Sequence, residues 1–155
     1  MKLNYKRTIL VGFAFFLISA FWQAYDATIP VILTNKYGMS QGWSVEKGIA
    51  LAEELAEVLG GVVGGSRATI DSGWLSADHQ VGQTGKTVHP KVYVALGISG
   101  AIQHKAGMQD SECIIAVNKN DTAPIFEIAD YGICGDLFKV TPMLIEAIKA
   151  AKAAK

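Results

Sequence analysis

The sequence predicts an α/β fold, in which helices flank a Rossmann-like parallel sheet and an apolar helix of the transmembrane type precedes it. Two observations predict the sheet. Strand and helix patterns alternate from Val45 onward, and turns rich in Gly, Ser, Thr and Gln bracket a short apolar strand between Val81 and Met108. A third observation, an apolar run near the N-terminus, predicts the first helix. Alternating strands and helices are typical of parallel sheets, because the helices form the crossovers.

The first element of the sheet domain is predicted to be a helix from Val45 to Leu59. Apolar residues recur there at intervals of three or four, with Ser44 as a possible N-cap and Gly60 and Gly61 as the stop. A last helix is expected to begin at Pro142, with Thr141 as its N-cap. Between these helices the pattern predicts strands at 62–66, 91–96 and 113–117 and a helix at 100–108.

The apolar run covers residues 8–33 and contains a single charge, Asp26. At about 1.5 Å per residue a helix of this length spans roughly 39 Å, more than the ~30 Å core of a bilayer. Basic residues precede the run, which predicts a cytoplasmic N-terminus. A cleaved signal peptide is the alternative, but Trp22 stands where its cleavage motif needs a small residue. The run therefore predicts an uncleaved membrane anchor.

Composition argues against several classes of function. Lys and Arg number 14, as do Asp and Glu, and neither a basic stripe nor an aromatic platform appears, so nucleic acid is not an expected partner. Cys113 and Cys134 stand alone in apolar runs, which predicts reduced core thiols. His79, His89 and His104 show no metal-ligand spacing, so we expect no structural metal.

The glycine-rich segment is suited to a phosphate-bearing cofactor. Small residues let a backbone approach a ligand closely, and the N–H groups that open the following helix are free donors. Gly85, Lys86 and Thr87 resemble the end of a Walker A loop, but Gln80 replaces the first glycine of that motif. The spacing therefore favours a nucleotide-like cofactor held by another kind of turn.

Several motifs follow one another in a fixed order: GGSRATIDSGW, VGQTGKT, GISGAIQH, AVNKN, APIFEIADYG and GDLF. In that order they resemble the C-terminal FAD domain of the electron transfer flavoprotein alpha subunit, over residues 45–155. The resemblance implies a noncovalently bound FAD and an electron carrier that makes and breaks no substrate bond. It also implies a beta subunit as partner, dehydrogenases of the acyl-CoA type or others as electron donors, and a domain that is normally cytoplasmic.

The resemblance assigns cofactor contacts only where these motifs match. Arg67 would lie beside the isoalloxazine ring, Thr84 would hydrogen-bond its redox-active nitrogen, and His104 would face its carbonyl edge, where a protonated imidazole would add positive charge. A surface arginine and a plain core histidine are the alternative interpretations. The full set, of which the last three would meet the adenosine side, is Ser66, Arg67, Val81, Gly82, Gln83, Thr84, Ser99, Gly100, Ala101, Ile102, Gln103, His104, Asn118, Asp136 and Leu137.

The opening of the chain resembles a different family. NYKRTILVGFAFF, AYDATIPVIL and KYGMSQGWS are similar to the first helix of a major facilitator superfamily transporter, over residues 1–44. We therefore expect a membrane-spanning, transporter-like segment at 1–44, joined to a FAD-binding domain at 45–155 whose sheet lacks its first strand. The alternative function is a membrane-anchored fusion fragment whose flavoprotein domain no longer binds FAD.

Overall fold

The computed structural model describes residues 41–154. Its helices are α1 (Gln41–Leu59), α2 (Arg67–Asp71), α3 (Ile102–Lys105) and α4 (Leu137–Ala153). Its strands are β1 (Tyr93–Leu96), β2 (Ile114–Asn118) and β3 (Tyr131–Cys134). Short 3-10 helices cover Ala77–His79 and Pro124–Glu127. Val45–Lys155 forms one compact unit.

The three strands form one parallel sheet in the order β1-β2-β3. Tyr93 pairs with Ile114 at the start of the first ladder, and Ile115 pairs with Tyr131 at the start of the second. Parallel neighbours need a crossover between them. The segment that contains α3 makes the first crossover, and the segment that contains the 3-10 helix Pro124–Glu127 makes the second. The predicted α/β fold with a parallel sheet is confirmed.

The central position of β2 follows from its composition. Its apolar residues run without a polar interruption, as in strands that are buried on both faces, and Ala116 and Val117 have no exposed surface. Met108 and Ile125 are also almost fully buried and belong to the same hydrophobic cluster as Ala95 of β1. The sheet and the loops that follow β1 and β2 therefore share one core.

The edge strand β3 lies in the apolar, strand-like run that contains Cys134. Tyr131, Gly132 and Cys134 are exposed, so the strand shows no apolar alternation. Its start is fixed instead by Asp130, whose carboxylate accepts the Ile114 N–H at 2.7 Å and whose own N–H donates to the Ile114 carbonyl at 2.9 Å. The expectation of a core thiol at Cys134 is wrong, because the strand that carries it lies at the exposed edge of the sheet.

Two predicted elements are shorter than their patterns indicate. Residues 62–66 form no strand in the described structure, because Gly65 makes only an isolated bridge to Gln80 and Val62 stays 93% exposed. The predicted helix at 100–108 is reduced to α3. Gly100 has a φ of +89°, and a Cβ at this position would overlap the backbone of Ile125. The chain therefore turns at Gly100 instead of beginning a helix.

Both predicted helix starts are also wrong. The last helix begins at Leu137 rather than Pro142, because Asp136 replaces Thr141 as the N-cap: its carboxylate accepts the Phe138 N–H at 3.0 Å. Pro142 consequently lies inside α4, where its missing N–H removes one hydrogen bond of the helix. The first helix begins at Gln41, so Ser44 lies within it rather than at its cap, although its predicted end at Leu59 is confirmed.

The predicted membrane anchor falls on residues that the structure does not describe. No helix among residues 41–154 is long and apolar enough to cross a membrane. The predicted span at 8–33, and the transporter-like segment 1–44 except for its last four residues, lie outside the described residues.

We expect Gly107→Ala to destabilise the fold, because a Cβ at this position would overlap the backbone of Gly82. Neither backbone segment can move alone, so the free energy of unfolding should fall by about 1–3 kcal/mol. In the control variant Gly61→Ala, the nearest atom to the new Cβ would be the Ala56 carbonyl oxygen at 3.9 Å, and stability should change by less than about 0.5 kcal/mol. Chemical denaturation measures the free energy of unfolding of both variants. Equal values for the two variants would contradict the close approach of Gly107 to the backbone of Gly82.

Candidate functional site

The first part of the candidate site lies at the carboxyl ends of the strands, where open parallel sheets bind their ligands. Asn118, the last residue of β2, donates from its side-chain amide to the Ile98 carbonyl at 3.0 Å. The backbone carbonyl of the adjacent Ser99 accepts a hydrogen bond from the Ile125 N–H at 3.0 Å. The Asn118 carbonyl accepts the Gly135 N–H at 2.9 Å, which places Asp136 beside it. The structure thus brings together the residues predicted for the adenosine side.

The second part is a pair of packed turns. The turn that follows Gly65 meets the segment from Val81 to Thr84, because the Val81 N–H donates to the Gly65 carbonyl at 2.9 Å. The same segment packs on the loop that contains α3, because the Gln83 N–H donates to the Gln103 carbonyl at 2.7 Å. Residues that the sequence assigned to the ring side, from three separate motifs, therefore lie side by side.

A glycine is required where these two turns meet. Gly82 has a φ of +140°, which side chains rarely allow, and a Cβ there would lie 2.9 Å from the Gln103 carbonyl oxygen. Gly107 approaches the other side of the same residue. The contact is between backbones, so its geometry depends on the absence of two side chains.

The two polar side chains predicted for the ring side remain available for a ligand. Among the described residues, Arg67 pairs only with Asp71 one turn along α2, at 3.3 Å, and its side chain is 69% exposed. Such exposed pairs are weak, so the guanidinium can reorient at little cost. The Thr84 hydroxyl accepts from the Gln80 side-chain amide at 2.8 Å. Its own hydrogen is therefore free to donate.

Ser66 serves the local fold. It is the N-cap of α2, where its hydroxyl accepts the Thr69 N–H at 3.4 Å and lies 3.0 Å from the Thr69 hydroxyl. A hydroxyl carries one donor and two acceptor positions, so this cap leaves capacity for one further contact. Ser66 also sets the direction in which the chain leaves the turn toward Arg67.

His104 is buried, and its two ring nitrogens have different surroundings. Nε2 lies 3.0 Å from the Tyr93 hydroxyl. Nδ1 is shielded from solvent and has no hydrogen-bond partner within residues 41–154. Burial lowers the pKa of His104 from its ordinary 6.5, an effect that the backbone of Val81 partly opposes. The imidazole is therefore neutral at pH 7, and the positive charge that a protonated ring would bring is not present.

The carboxylate of Asp136 already has two partners. Lys119 donates to it at 2.9 Å, and the Phe138 N–H donates to its other oxygen. The hydrogen bond from Lys119 and then that from the Phe138 backbone hold the pKa of Asp136 below its ordinary range. The group is ionised at neutral pH, and each oxygen keeps a lone pair that can accept a ribose hydroxyl.

An apolar cavity of about 760 Å³ reaches these turns at Gly64, Val81 and Lys86. It runs along the outer edge of β1, between Val94, Leu96 and the Leu55 face of α1. Of the candidate cofactor residues, only Val81 lines it. The candidate site is therefore a different surface, made of turns and strand ends.

Sequence reasoning missed three side chains that support the site. Tyr93 contacts the buried histidine, Gln80 orients the Thr84 hydroxyl, and Lys119 neutralises Asp136. In the sequence Gln80 stands out only because it replaces the first glycine of a Walker A loop, and Lys119 lies inside the AVNKN motif. Tyr93 carried one available signal, a polar hydroxyl in an otherwise apolar strand.

Comparison with known proteins agrees with the motif analysis. A family model described as the electron transfer flavoprotein FAD-binding domain matches residues 34–109. The electron transfer subunit beta of acryloyl-CoA reductase from Anaerotignum propionicum is 74% identical over 123 residues, which are 79% of this chain and 33% of that protein. The electron transfer flavoprotein alpha subunit of Thermoanaerobacterium thermosaccharolyticum is 69% identical over 105 residues, 68% of this chain and 32% of that protein.

A third relative, the electron transfer flavoprotein alpha subunit of Megasphaera elsdenii, is 58% identical over 122 residues, 79% of this chain and 36% of that protein. The chain thus spans about a third of the length of these curated relatives. The resemblance to the alpha-subunit FAD domain is confirmed. The likeness of the first 44 residues to a transporter receives no support from these matches.

We expect acid to destabilise the fold through His104. Its pKa is lowered in the folded state, so the unfolded chain binds a proton first as pH falls below about 6.5, and stability drops by at most about 1.4 kcal/mol per pH unit. Denaturant titrations between pH 7.5 and 5.5 measure this slope. It should flatten in His104→Gln and persist in His89→Gln, a control at an exposed position. A slope that survives in His104→Gln would contradict the assignment.

Proposed function

Because residues 34–109 match the FAD-binding domain of the electron transfer flavoprotein family, we propose that this chain is the FAD-binding part of an electron carrier of the alpha-subunit type. It makes and breaks no substrate bond. The observation that carries the proposal is the contact between the Val81–Thr84 turn and the loop around Gln103. That contact joins motifs that are separated in sequence into one surface, on which the Thr84 hydroxyl keeps a hydrogen to donate.

The ring side of the site fits a flavin. In the part of the chain that the structure describes, the buried Nδ1 of His104 lacks a partner, and the Thr84 hydroxyl has a hydrogen to donate. The exposed guanidinium of Arg67 can turn toward the ring. A flavin ring offers carbonyl oxygens and nitrogens that accept such hydrogen bonds. When bound, it supplies the reversible uptake and release of electrons that no side chain provides.

The backbone of the same turns supports the proposal. Residues from Ser99 to Gln103 lead into α3, and apart from Gly100 they are exposed. Small residues there allow a chain as bulky as the ribityl diphosphate to approach the peptide N–H groups. We assign Ser99, Gly100, Ala101, Ile102 and Gln103 to this part, and Val81, Gly82 and Gln83 to the ring.

The adenosine side is assigned to the strand ends. Asn118 and Asp136 flank the end of β2, and Leu137 packs nearby, its side chain within 3.1 Å of where a Cβ on Gly97 would be. The ionised Asp136 is suited to ribose hydroxyls, and Lys119 beside it reduces the repulsion between that carboxylate and a diphosphate.

Arg67 and its neighbours would tune the carrier electrostatically. Since His104 is neutral, Arg67 is the cation of the candidate set, and a guanidinium near the ring stabilises the negative charge of the reduced cofactor. At about 4 Å and an effective dielectric near 20 the attraction is about 4 kcal/mol before solvent screening. Most of the side chain is exposed, so a fraction of that value is expected.

The partners are proposed from the relatives. One relative is named as an electron transfer subunit of acryloyl-CoA reductase, and others as electron transfer flavoprotein alpha subunits. We propose that this chain likewise works with a beta subunit and accepts electrons from dehydrogenases, of which the acyl-CoA type is the expected class.

The alternative function is an anchored fragment that binds no FAD, and the identity to alpha subunits does not favour it. An anchor at residues 8–33 is compatible with either function. Membrane fractionation followed by alkaline extraction tests it separately, because a spanning segment stays with the lipid whether or not the domain binds a cofactor.

We expect the purified full chain to bind FAD at a one-to-one ratio and to release it unchanged on heating. The absorbance of the protein with its bound cofactor measures the ratio of FAD to protein. Chromatography of the released cofactor establishes that it is FAD. A folded chain that stays colourless with excess FAD would refute the proposed function. Thr84→Val should weaken binding about five- to tenfold by removing one donor, whereas Thr87→Val, at another exposed position of the same motif, should not.

Arg67→Ala should lower the reduction potential of the bound FAD. A loss of about 1.4 kcal/mol corresponds to 59 mV for one electron, so we expect a shift of about 50–100 mV. Lys149→Ala is the control, because Lys149 is an exposed cation that pairs with Glu54, away from the turns. Spectroelectrochemical titration measures both, and equal potentials would mean that Arg67 is an ordinary surface arginine.

A further inference from the structure

One ion pair beside the candidate site differs from the others because its cation is nearly buried. The Nζ atom of Lys105, at the end of α3, lies 3.0 Å from a carboxylate oxygen of Glu127. Only 16% of the Lys105 side chain is exposed, whereas the lysine and arginine side chains of the other ion pairs among residues 41–154 are 55–71% exposed. Exposed pairs contribute little, but a shielded ammonium that loses its partner remains as an uncompensated charge. This pair can therefore hold two segments together.

The ion pair joins the two crossovers of the sheet. Lys105 belongs to the first crossover, and Glu127 lies 22 residues further along the chain, in the second. The second segment is the fixed partner, because Ile125 of the same 3-10 helix has no exposed surface and belongs to the hydrophobic core. The first segment carries Ser99–Gln103, which is exposed apart from its glycine. The ion pair thus ties an exposed loop to an element anchored in the core.

The Ser99–Lys105 loop is attached to this 3-10 helix at both of its ends. At its start, the Ile125 N–H donates to the Ser99 carbonyl at 3.0 Å. Gly100 passes so close to Ile125 that a Cβ on this glycine would overlap the Ile125 backbone. At its end, Lys105 reaches Glu127. One attachment is a backbone contact, and the other depends on two side chains.

The same loop supports the Val81–Thr84 turn. The Gln103 carbonyl, which lies between the two attachments, accepts the Gln83 N–H at 2.7 Å. Gly107, just beyond Lys105, packs against the backbone of the same turn. Because Lys105 lies between these two contact points in the chain, a displacement of its backbone would change both of them.

We propose that Lys105 is a positioning residue, whose ion pair with Glu127 holds the Ser99–Lys105 loop against the 3-10 helix and so keeps this loop and the Val81–Thr84 turn at the spacing that the cofactor needs. The role toward FAD rests on the proposed function. The attachment of the loop is a property of the cofactor-free chain.

A direct attraction between Lys105 and the diphosphate of the cofactor would give a different pattern of effects. If charge alone mattered, Lys105→Met would weaken FAD binding, but Glu127→Gln would strengthen it, because that change removes a negative charge from the neighbourhood of an anionic cofactor. If the ion pair positions the loop, both changes release the same attachment and both weaken binding. The sign of the effect of Glu127→Gln therefore separates positioning from direct attraction.

Titrations of the full chain with FAD measure this effect. We expect the dissociation constant to rise about three- to tenfold in Lys105→Met and in Glu127→Gln, and no further in the double variant, because a broken pair cannot be broken again. Glu54→Gln is the matched control, since Glu54 pairs with Lys149 at 3.1 Å away from the turns, and it should leave the constant unchanged. A lower or unchanged constant in Glu127→Gln, or effects that multiply in the double variant, would overturn the proposal.

Amide hydrogen exchange tests the attachment without any cofactor. The N–H groups of Ile125 and Gln83 report on the two faces of the loop, because they donate to the carbonyls of Ser99 and Gln103. The N–H of Gly97, which donates within the sheet, is the internal control. Exchange through local opening differs from residue to residue, whereas a loss of overall stability also affects the sheet.

In Glu127→Gln we expect exchange to be about three- to tenfold faster at Ile125 and Gln83 and unchanged at Gly97. In Glu54→Gln all three rates should stay constant. Equal acceleration at Gly97 would mean that the pair only stabilises the fold, and unchanged rates at Ile125 and Gln83 would mean that it does not hold the loop; either result would overturn the proposal. If the unsubstituted chain binds no FAD, the proposed function fails, and the exchange rates still decide whether the loop is attached in this way.

Discussion

The candidate site depends on one backbone-to-backbone contact, the packing of the Val81–Thr84 turn against the loop that contains α3. Gly82 and Gly107 approach so closely that neither can carry a side chain, and the Gln83 N–H is bound to the Gln103 carbonyl. This contact fixes the position of the turn relative to the loop. Because backbone hydrogen bonds set that position, the site is preorganised before a ligand arrives.

The sheet supplies the rigid part of the arrangement. β2 is buried on both faces and holds Asn118 at its end, where the side chain bonds back to Ile98 and so joins the two strand ends. The loops carry the polar groups, and the strands fix where those loops begin. A site of this kind combines a stable frame with turns whose exposed side chains, such as Arg67, can adjust to a ligand.

Patterns with a strong local cause were read correctly from the sequence. The apolar run of β2 and the glycine stop after α1 agree with the structure, as does the alternation that predicts a parallel sheet. The predictions of strands fail where the formation of a strand depends on a neighbouring strand in the folded structure. Residues 62–66 have the composition of a strand but find no strand to pair with among the described residues, whereas the short strand-like run of β3 forms a strand because β2 offers it a partner.

The sequence by itself determined the class of fold, the family resemblance and the identity of the polar residues in the turns, because these follow from local composition and the order of motifs. Only the tertiary structure decided what those residues do. It turned His104 inward onto Tyr93, committed Ser66 and Asp136 to helix caps and left Thr84 with a free hydrogen. The physical reason is that burial and hydrogen-bond partners come from segments far apart in the chain, and no local pattern encodes them.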